Sequence, residues 1–210
     1  MSDRPAPTRW YWVRHAPVID ATGELYDTPD EPADVSDSEA FQGLARSLPR
    51  DAIWLTSNLQ CAHQTANAIA AAGNAPANRM EDSRLAEQHF GDWFGKADEA
   101  DFKAERKKRS HNFWMVDAAT RPPGGESFLD LYARVCAAID SYSAQFQGQT
   151  LVAVSHGGVI RAALAYALGL EADKALSIMV ENLSTTRVDY YPGPGKGGDW
   201  RTVFVNKRAR

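Results

Sequence analysis

The stretch 151–155 reads Leu-Val-Ala-Val-Ser, and a helical pattern follows it after the short sequence His156-Gly157-Gly158. An apolar run of this length, without alternation of apolar and polar residues, is typical of a strand that is covered on both faces. Such strands occupy the middle of parallel sheets, where helices cover each side. This one stretch therefore predicts an α/β fold with a strand at the centre of the sheet.

Strand and helix patterns alternate along the rest of the chain. Strands are predicted at 9–13, 52–56, 79–84, 151–155, 185–191 and 201–206. Helices are predicted at 38–48, 58–72, 96–119, 127–147, 157–168 and 172–180. This alternation predicts a three-layer α/β/α sandwich on a mainly parallel sheet. The length of 210 residues fits a single domain, 1–210, with a charged helical insertion at about 96–119.

Composition argues against several classes of protein. Lys and Arg number 23 against 27 Asp and Glu, and the resulting net charge of −4 disfavours a general nucleic-acid binder. The apolar stretches are too short to span a membrane, and residues 1–9 lack the apolar core of a signal peptide. Two cysteines suit a reducing compartment. We therefore expect a cytoplasmic protein without nucleic-acid or membrane partners, and a homodimer stays open as its oligomeric state.

Polar residues follow three of the predicted strands at the point where each strand ends. Arg14 and His15 close the first strand, Ser57 follows the second, and His156 follows the stretch 151–155. Ligands of open α/β sheets bind beyond the carboxyl ends of the strands. The sequence therefore predicts one crevice in which two histidines and an arginine meet.

This combination of side chains suits phosphoryl transfer. Arginine offers a rigid fork of donors to phosphate oxygens, and neutral imidazole is a nucleophile at physiological pH. Gly157 and Gly158 allow the N-terminus of a helix to approach an anion closely. A single histidine at a strand end is more often only a hydrogen-bonding residue, and a single arginine is usually solvated. The joint occurrence of Arg14-His15 and His156 at two strand ends favours the catalytic interpretation.

Five segments of the chain resemble the motifs of one family. They are Val13-Arg14-His15-Ala16, the stretch from Ser57 through Leu59 to Gln64-Thr65-Ala66, Leu85-Ala86-Glu87 with Phe90-Gly91-Asp92-Trp93, Gly124-Gly125-Glu126-Ser127, and Ser155-His156-Gly157-Gly158. Each segment is weak or moderate evidence by itself. In this order and at these separations they resemble the histidine phosphatase superfamily, whose fold is called phosphoglycerate mutase-like, and the resemblance runs through the whole chain.

The resemblance implies a role for each site residue. His15 would be the nucleophile that becomes phosphorylated, and Arg14 and His156 would hold the phosphoryl oxygens. Glu87 would be the general acid for the leaving group and the base for the attacking water. Ser57, Cys61 and Gly157 would line the phosphate site. The implied activity is that of a phosphomonoester hydrolase acting on a small phosphorylated metabolite, with no metal and no cofactor.

Two positions depart from the family pattern. Ala16 replaces a glycine, which is a small change, whereas Cys61 replaces the second phosphate-binding arginine. A charge-assisted hydrogen bond contributes about 1.5–3 kcal/mol, and a thiol cannot supply it. His63 lies only two residues away, so on a helix it points in another direction. The chain is then a weakened phosphatase, a phosphatase adapted to an unusual substrate, or a silent phosphoester-binding protein.

Two further questions stay open at the level of sequence. A cofactor-dependent phosphoglycerate mutase is the alternative activity within the fold, and the residues Pro17-Val18 after the first motif disfavour it. In the family, the segment that follows the glutamate motif often forms part of a lid over the substrate. The basic residues 106–109 within the insertion either line the substrate pocket or form a solvated helix face.

Overall fold

A mixed sheet lies at the centre of the molecule. The computed structural model describes residues 6–19, 28, 30–95, 100–193 and 199–209. Within these ranges the strands are β1 (Thr8–Arg14), β2 (Ile53–Thr56), β3 (Arg79–Glu81), β4 (Thr150–Ser155), β5 (Ser184–Tyr190) and β6 (Trp200–Arg208). Their spatial order is β3-β2-β4-β1-β5-β6. The pairs β1–β4, β4–β2 and β2–β3 are parallel, while β5 and β6 join antiparallel at one edge.

Helices cover both faces of this sheet. In the described ranges they are α1 (Ser38–Ser47), α2 (Gln60–Ala71), α3 (Ala100–Lys108), α4 (Phe128–Gln145), α5 (Gly157–Leu168) and α6 (Ala172–Ala175), with 3₁₀ turns at Ser83–Leu85 and Gly91–Trp93. Asp37 caps α1 by accepting a hydrogen bond from the Ala40 N–H. Ser127 and Asp130 form a capping box that starts α4. Local sequence therefore determines where these two helices begin.

Two hydrophobic cores lie on opposite faces of the sheet. Leu151 and Ala153 of β4 belong to the core beneath α4 and α5, whereas Val152 and Val154 belong to the core beneath α1 and α2. Because successive strand side chains point to opposite faces, a strand that is apolar throughout must be covered on both sides. The three-layer α/β/α arrangement on a mainly parallel sheet is thus confirmed. No helix in the described part of the chain is both long and apolar enough to cross a membrane.

The register of the central strands brings the site together. Arg14 of β1 lies opposite Ser155 of β4, and the His15 N–H donates to the Ser155 carbonyl at 2.8 Å. Thr56 of β2 lies opposite Val154 of the same strand. Since the three strands are parallel and end at the same level, His15, Ser57 and His156 leave the sheet at one edge.

Three predicted elements are wrong in extent. The edge strand predicted at 79–84 stops at Glu81, because Asp82 accepts from the Arg84 N–H and starts a 3₁₀ turn. The helix predicted at 172–180 ends at Ala175, and the Ser177 hydroxyl donates to the Lys174 carbonyl there.

The insertion predicted as one helix at 96–119 also differs. Only α3 is helical within it, since 109–119 is irregular and 96–99 lie outside the described residues. The polar residues Ser110 and Asn112 follow α3, and Asp117 accepts from the Ser110 N–H and hydroxyl instead of continuing a helix. The loop predicted at 192–198 falls mostly outside the described residues. The single-domain organisation and the lid role of the insertion stay predictions.

Candidate active site

His15 is the first residue after β1, and its ring is fully buried. Its Nδ1 lies 2.6 Å from the Ala16 carbonyl oxygen, which can only accept, so Nδ1 carries the proton. In a neutral ring the lone pair is then on Nε2. The Asn182 amide donates to the His15 carbonyl at 2.8 Å, and the Ala16 N–H donates to the Thr65 hydroxyl at 2.9 Å. These contacts fix the ring in the tautomer that a nucleophile needs.

His156 faces His15 from the end of β4. The two ring centroids are 4.9 Å apart, with an angle of 54° between the planes. The Nε2 atom of His156 lies 2.7 Å from the hydroxyl of Ser57, which also accepts from the Leu59 N–H at 3.3 Å. The Ser57 hydroxyl either donates to His156 Nε2 or accepts from it, depending on the tautomer of the ring. In either tautomer this contact orients the ring.

Both imidazoles are held neutral. Burial, followed by the repulsion that a protonated His15 would meet from a protonated His156 and from Arg14, lowers the pKa of His15 to about 3. Burial, followed by the charges of Arg14 and Arg134, lowers the pKa of His156 to about 3. A buried imidazole loses hydration when it is charged, and nearby guanidinium groups add repulsion. At neutral pH the His15 Nε2 lone pair is thus free of a proton.

Arg14 closes β1 and contacts the first turn of α5. Its Nη1 donates to the Val180 carbonyl at 2.6 Å. Its Nε is buried and has no hydrogen-bond partner among the residues that the structure describes. A β-carbon placed on Gly157 would lie 3.6 Å from this Nε, so the guanidinium lies directly against the helix N-terminus. An anion at this position would gain a charged donor as well as helix N–H groups.

Glu87 lies between the two 3₁₀ turns and reaches the same helix. Both of its carboxylate oxygens lie 3.1 Å from the Gly158 nitrogen, and one accepts from the Gln88 N–H at 3.0 Å. A β-carbon on Gly158 would collide with this carboxylate, which explains why a glycine is required. The N-terminus of α5, which the sequence assigns to substrate phosphate, is here capped by Glu87.

Arg134 of α4 supports the segment that carries Glu87. Its guanidinium donates to the carbonyls of Arg84, Ala86 and Glu87 at 2.8, 2.8 and 3.1 Å, and it is paired with Glu126. A sequence shows the charge of such a residue but not the backbone carbonyls that surround it. Asn182, which supports His15, was missed entirely for the same reason.

A cavity of about 240 Å³ opens beside these groups. Cys61, Glu87, Arg134 and His156 line it, together with residues that include Asn58, Gln88 and His89. Arg14 lines a separate cavity of about 630 Å³ with Val180 and Asn182, and neither cavity is lined by the buried His15. The structure thus brings four predicted site residues close together: His15, Ser57, Cys61 and His156. Three of the predicted site residues line the smaller cavity: Cys61, Glu87 and His156. Gly157 starts α5 next to Arg14.

Cys61 is the second residue of α2 and lies close to His156. Its sulfur is 4.0 Å from His156 Nδ1, and burial raises the pKa of the thiol to about 12. The side chain is therefore a neutral thiol at physiological pH. His63 turns away from the site and pairs with Glu81 at 2.9 Å. Neither residue brings the positive charge of the missing arginine to the cavity.

His15, Cys61 and His156 could also be considered as metal ligands. Their ligand atoms lie within 4.8 Å of one another. The guanidinium of Arg14 lowers the pKa of both histidines, and the same charge opposes a metal cation. The electrostatics of this site therefore favour an anion.

The basic residues 106–109 do not line the cavity beside Glu87. Arg106 and Arg109 line other surface pockets, with Asn112 and Phe113. Arg121 pairs with Asp130 at 2.7 Å. Of the two sequence interpretations of the basic run, the structure favours the surface location.

Comparisons with known proteins identify the family of the chain. Residues 11–202 match the sequence model of the histidine phosphatase superfamily, branch 1. A bifunctional protein of Mycobacterium tuberculosis is 33% identical over 138 residues, which are 65% of this chain and 36% of that protein. The chain thus spans about a third of the length of the first relatives that it matches.

A second relative matches along most of both chains. The glucosyl-3-phosphoglycerate phosphatase of Mycolicibacterium vanbaalenii is 30% identical over 186 residues, covering 81% of this chain and 80% of that protein. Among solved structures, YhfR of Bacillus stearothermophilus superposes with a TM-score of 0.78 at 24% identity, covering 95% of this chain and 97% of that one. This structural likeness concerns the fold.

Proposed function

This chain belongs to the histidine phosphatase superfamily, and we propose that it hydrolyses phosphomonoesters through a phosphohistidine formed on His15. The observation that carries the proposal is the pairing of two buried, neutral imidazoles 4.9 Å apart, with the His15 proton on Nδ1. A neutral imidazole that carries its proton on Nδ1 has its lone pair on Nε2, and it is a nucleophile that needs no separate base. Arg14 and His156 supply donors to the phosphoryl group that it attacks.

The first step transfers the phosphoryl group to His15. The Nε2 lone pair forms a bond to phosphorus, and the bond from phosphorus to the leaving oxygen breaks. The carboxyl group of Glu87 gives its proton to that oxygen, so the product leaves as an alcohol. Arg14 Nε, a ring N–H of His156 and the Gly158 N–H are the donors that would stabilise the charge on the phosphoryl oxygens.

The second step restores the enzyme. The Glu87 carboxylate takes a proton from water, and the water oxygen attacks phosphorus as the bond to His15 Nε2 breaks. Glu87 borders the cavity, so water can reach it there. Inorganic phosphate leaves, and His15 returns to its neutral form. No step requires a metal ion or an organic cofactor.

The substrate that this proposal implies is a small phosphorylated metabolite. A cavity of about 240 Å³ is suited to a compound of that size. One relative is named a glucosyl-3-phosphoglycerate phosphatase, so a glycosylated phosphoglycerate is among the compounds to test. The proposal covers this chain and not the longer relatives that it matches in part. A cytoplasmic location stays a prediction.

Hydrolysis of p-nitrophenyl phosphate by the purified protein, in the presence of a chelator, tests the activity. We expect turnover by the wild type and its loss in His15→Ala. His63→Ala is the matched control, because His63 lies on α2 and pairs with Glu81 away from the site. Equal turnover by the wild type and His15→Ala would contradict the proposal.

The departure at Cys61 motivates a second candidate function, a phosphoester-binding protein without turnover. Binding of phosphate or vanadate to the wild type, without hydrolysis of any member of a phosphometabolite library, would establish it. The mutase alternative is tested separately by isomerisation of 3-phosphoglycerate. Pro17 and Val18 after His15 disfavour the mutase, so we expect no isomerisation.

A further inference from the structure

A second cluster of ligand-type side chains lies away from the active site. His111 follows α3, Asp117 precedes α4, and Asp173 belongs to α6. The Nε2 atom of His111 is 3.6 Å from one carboxylate oxygen of Asp117 and 3.6 Å from one of Asp173. Three segments that are distant in sequence therefore meet at one imidazole nitrogen.

His111 has the features of a ligand whose partner is missing. Its side chain is only 8% exposed, and neither ring nitrogen has a hydrogen-bond partner among the described residues. A buried polar group without a partner costs free energy, so such an imidazole calls for an explanation. Phe113 stacks on the ring at 4.3 Å, with an angle of 14° between the planes. This stacking holds the ring with Nε2 aimed at the two carboxylates.

We propose that His111, Asp117 and Asp173 form a binding site for a divalent transition-metal ion of the Zn²⁺ type. Ligands at about 2.0–2.1 Å from a tetrahedral metal lie about 3.3 Å apart, so the observed 3.6 Å separations need only a small contraction. One imidazole with two carboxylates suits a borderline metal better than a hard cation such as Mg²⁺, which prefers oxygen ligands.

The surroundings of the two carboxylates support this assignment. The Ser110 N–H and hydroxyl donate to Asp117 at 2.7 and 2.9 Å, and the Ala118 N–H donates to Asp173 at 2.7 Å. Each accepting atom is the Oδ1 that lies 3.6 Å from His111 Nε2, so these hydrogen bonds hold both carboxylates in place beside the imidazole. Asp173 is 47% exposed, so water can complete the coordination. The two negative charges face the imidazole, and the ion would neutralise them.

The ion would have a structural role. It would tie the irregular segment 109–118 to α6. Met115 and Val116 of that segment pack against Phe90 and Trp93, which follow Glu87 in the chain. Bound metal is therefore expected to stabilise the fold, whereas the proposed phosphatase chemistry does not need it.

The test is a titration of the metal-free full chain with Zn²⁺, followed by calorimetry and by thermal melting. We expect one equivalent to bind at this site and to raise the Tm, because a ligand that binds only the folded state stabilises it. Asp173→Asn keeps an acceptor for the Ala118 N–H and removes one charge, and it should weaken binding at least about tenfold. His111→Asn should also weaken Zn²⁺ binding at least about tenfold. Mg²⁺ added to the wild type should not raise the Tm.

Two controls separate this site from other metal-binding groups. His63→Asn removes a different imidazole that faces a carboxylate, and it should bind Zn²⁺ like the wild type. Co²⁺ gives a thiolate charge-transfer band only where cysteine is a ligand, so that band would indicate binding at Cys61. No Zn²⁺ binding, or binding that Asp173→Asn and His111→Asn leave unchanged, would overturn the proposal.

Discussion

Both carboxylate oxygens of Glu87 lie 3.1 Å from the backbone nitrogen of Gly158, at the first turn of α5. The proposed general acid thus caps the helix end that the phosphoryl group needs. A phosphoryl oxygen and the Glu87 carboxyl group would compete for the same N–H, so the substrate must take over some of the N–H donors that Glu87 now uses. The contact links substrate binding to the movement of the proton donor.

Gly158→Ala tests this link. A β-carbon there would collide with the end of the Glu87 side chain, which can move away without disturbing the backbone. We therefore expect a folded protein with a kcat reduced by about 10²–10⁴-fold, the usual contribution of a general acid. Gly157→Ala is the comparison, because its β-carbon would approach Arg161 and Arg14 and not Glu87. A fully active Gly158→Ala protein would mean that Glu87 does not act from this position.

Replacing Cys61 tests the effect of the missing arginine. The thiol lies 4.0 Å from His156 and lines the cavity, so an arginine introduced there has space to reach the phosphoryl group. We expect Cys61→Arg to raise kcat/KM by about tenfold to a thousandfold, the contribution of one donor to the transition state. Cys61→Met fills similar space without charge and should give no gain. Unchanged or lower activity in a folded Cys61→Arg protein would mean that another group already compensates.

Arg134 is expected to act as a positioning residue. Arg134→Met removes donors to three carbonyls around Glu87, so we expect a loss of about 2–3 kcal/mol in the free energy of unfolding. The substitution displaces Glu87 and leaves the nucleophile His15 in place, so kcat should fall by a larger factor than KM changes. Arg134→Lys should restore part of the lost kcat. Arg121→Met, which removes an exposed ion pair with Asp130, should cost less than about 1 kcal/mol. Equal losses of unfolding free energy and of kcat in Arg134→Met and Arg121→Met would contradict this role.

The buried histidines predict how stability depends on pH. The pKa of His15 and of His156 is about 3 in the folded protein and about 6.5 in the unfolded chain. The unfolded state therefore binds more protons between these values. Stability is complete above pH 6.5 and declines as the pH falls toward 3.

Urea unfolding at pH 7 and pH 5 measures this effect. We expect a loss of about 1–2 kcal/mol for each histidine between these two pH values. A double variant, His15→Gln with His156→Gln, should lose less free energy of unfolding between pH 7 and pH 5 than the wild type does. If the double variant lost as much free energy of unfolding between pH 7 and pH 5 as the wild type does, groups other than these two histidines would cause the pH dependence. Because neither histidine titrates near neutrality, kcat/KM should show no inflection near pH 6.5 from these residues.

The sequence predicts the centre of the molecule better than its periphery. The strand at 151–155 and the helices at 38–48 and 127–147 depend on local chemistry, and each lies where it is predicted, within a few residues. The approach of His15 to His156 follows from two parallel strands that end at the same level. The fold class is confirmed, whereas the catalytic roles of the site residues stay predictions.

Other features depend on contacts between distant segments. The capping of α5 by Glu87 joins residues 71 positions apart; the resemblance assigns both segments to one site, but no local pattern predicts this hydrogen bond. The cluster at His111 joins three segments in the same way. In the insertion, the periodic charges predict a long helix, but the side chains of Ser110 and Asp117 bond to each other and to the backbone instead.

The covalent intermediate at His15 tests the central claim most directly. Protein mixed briefly with a good phosphoryl donor, quenched and digested under alkaline conditions, is analysed by mass spectrometry for acid-labile, base-stable phosphate. We expect the phosphate on His15, its absence in His15→Ala, and its accumulation in Glu87→Gln when the leaving group needs no proton. Phosphate on another residue, or label that persists in His15→Ala, would contradict the account.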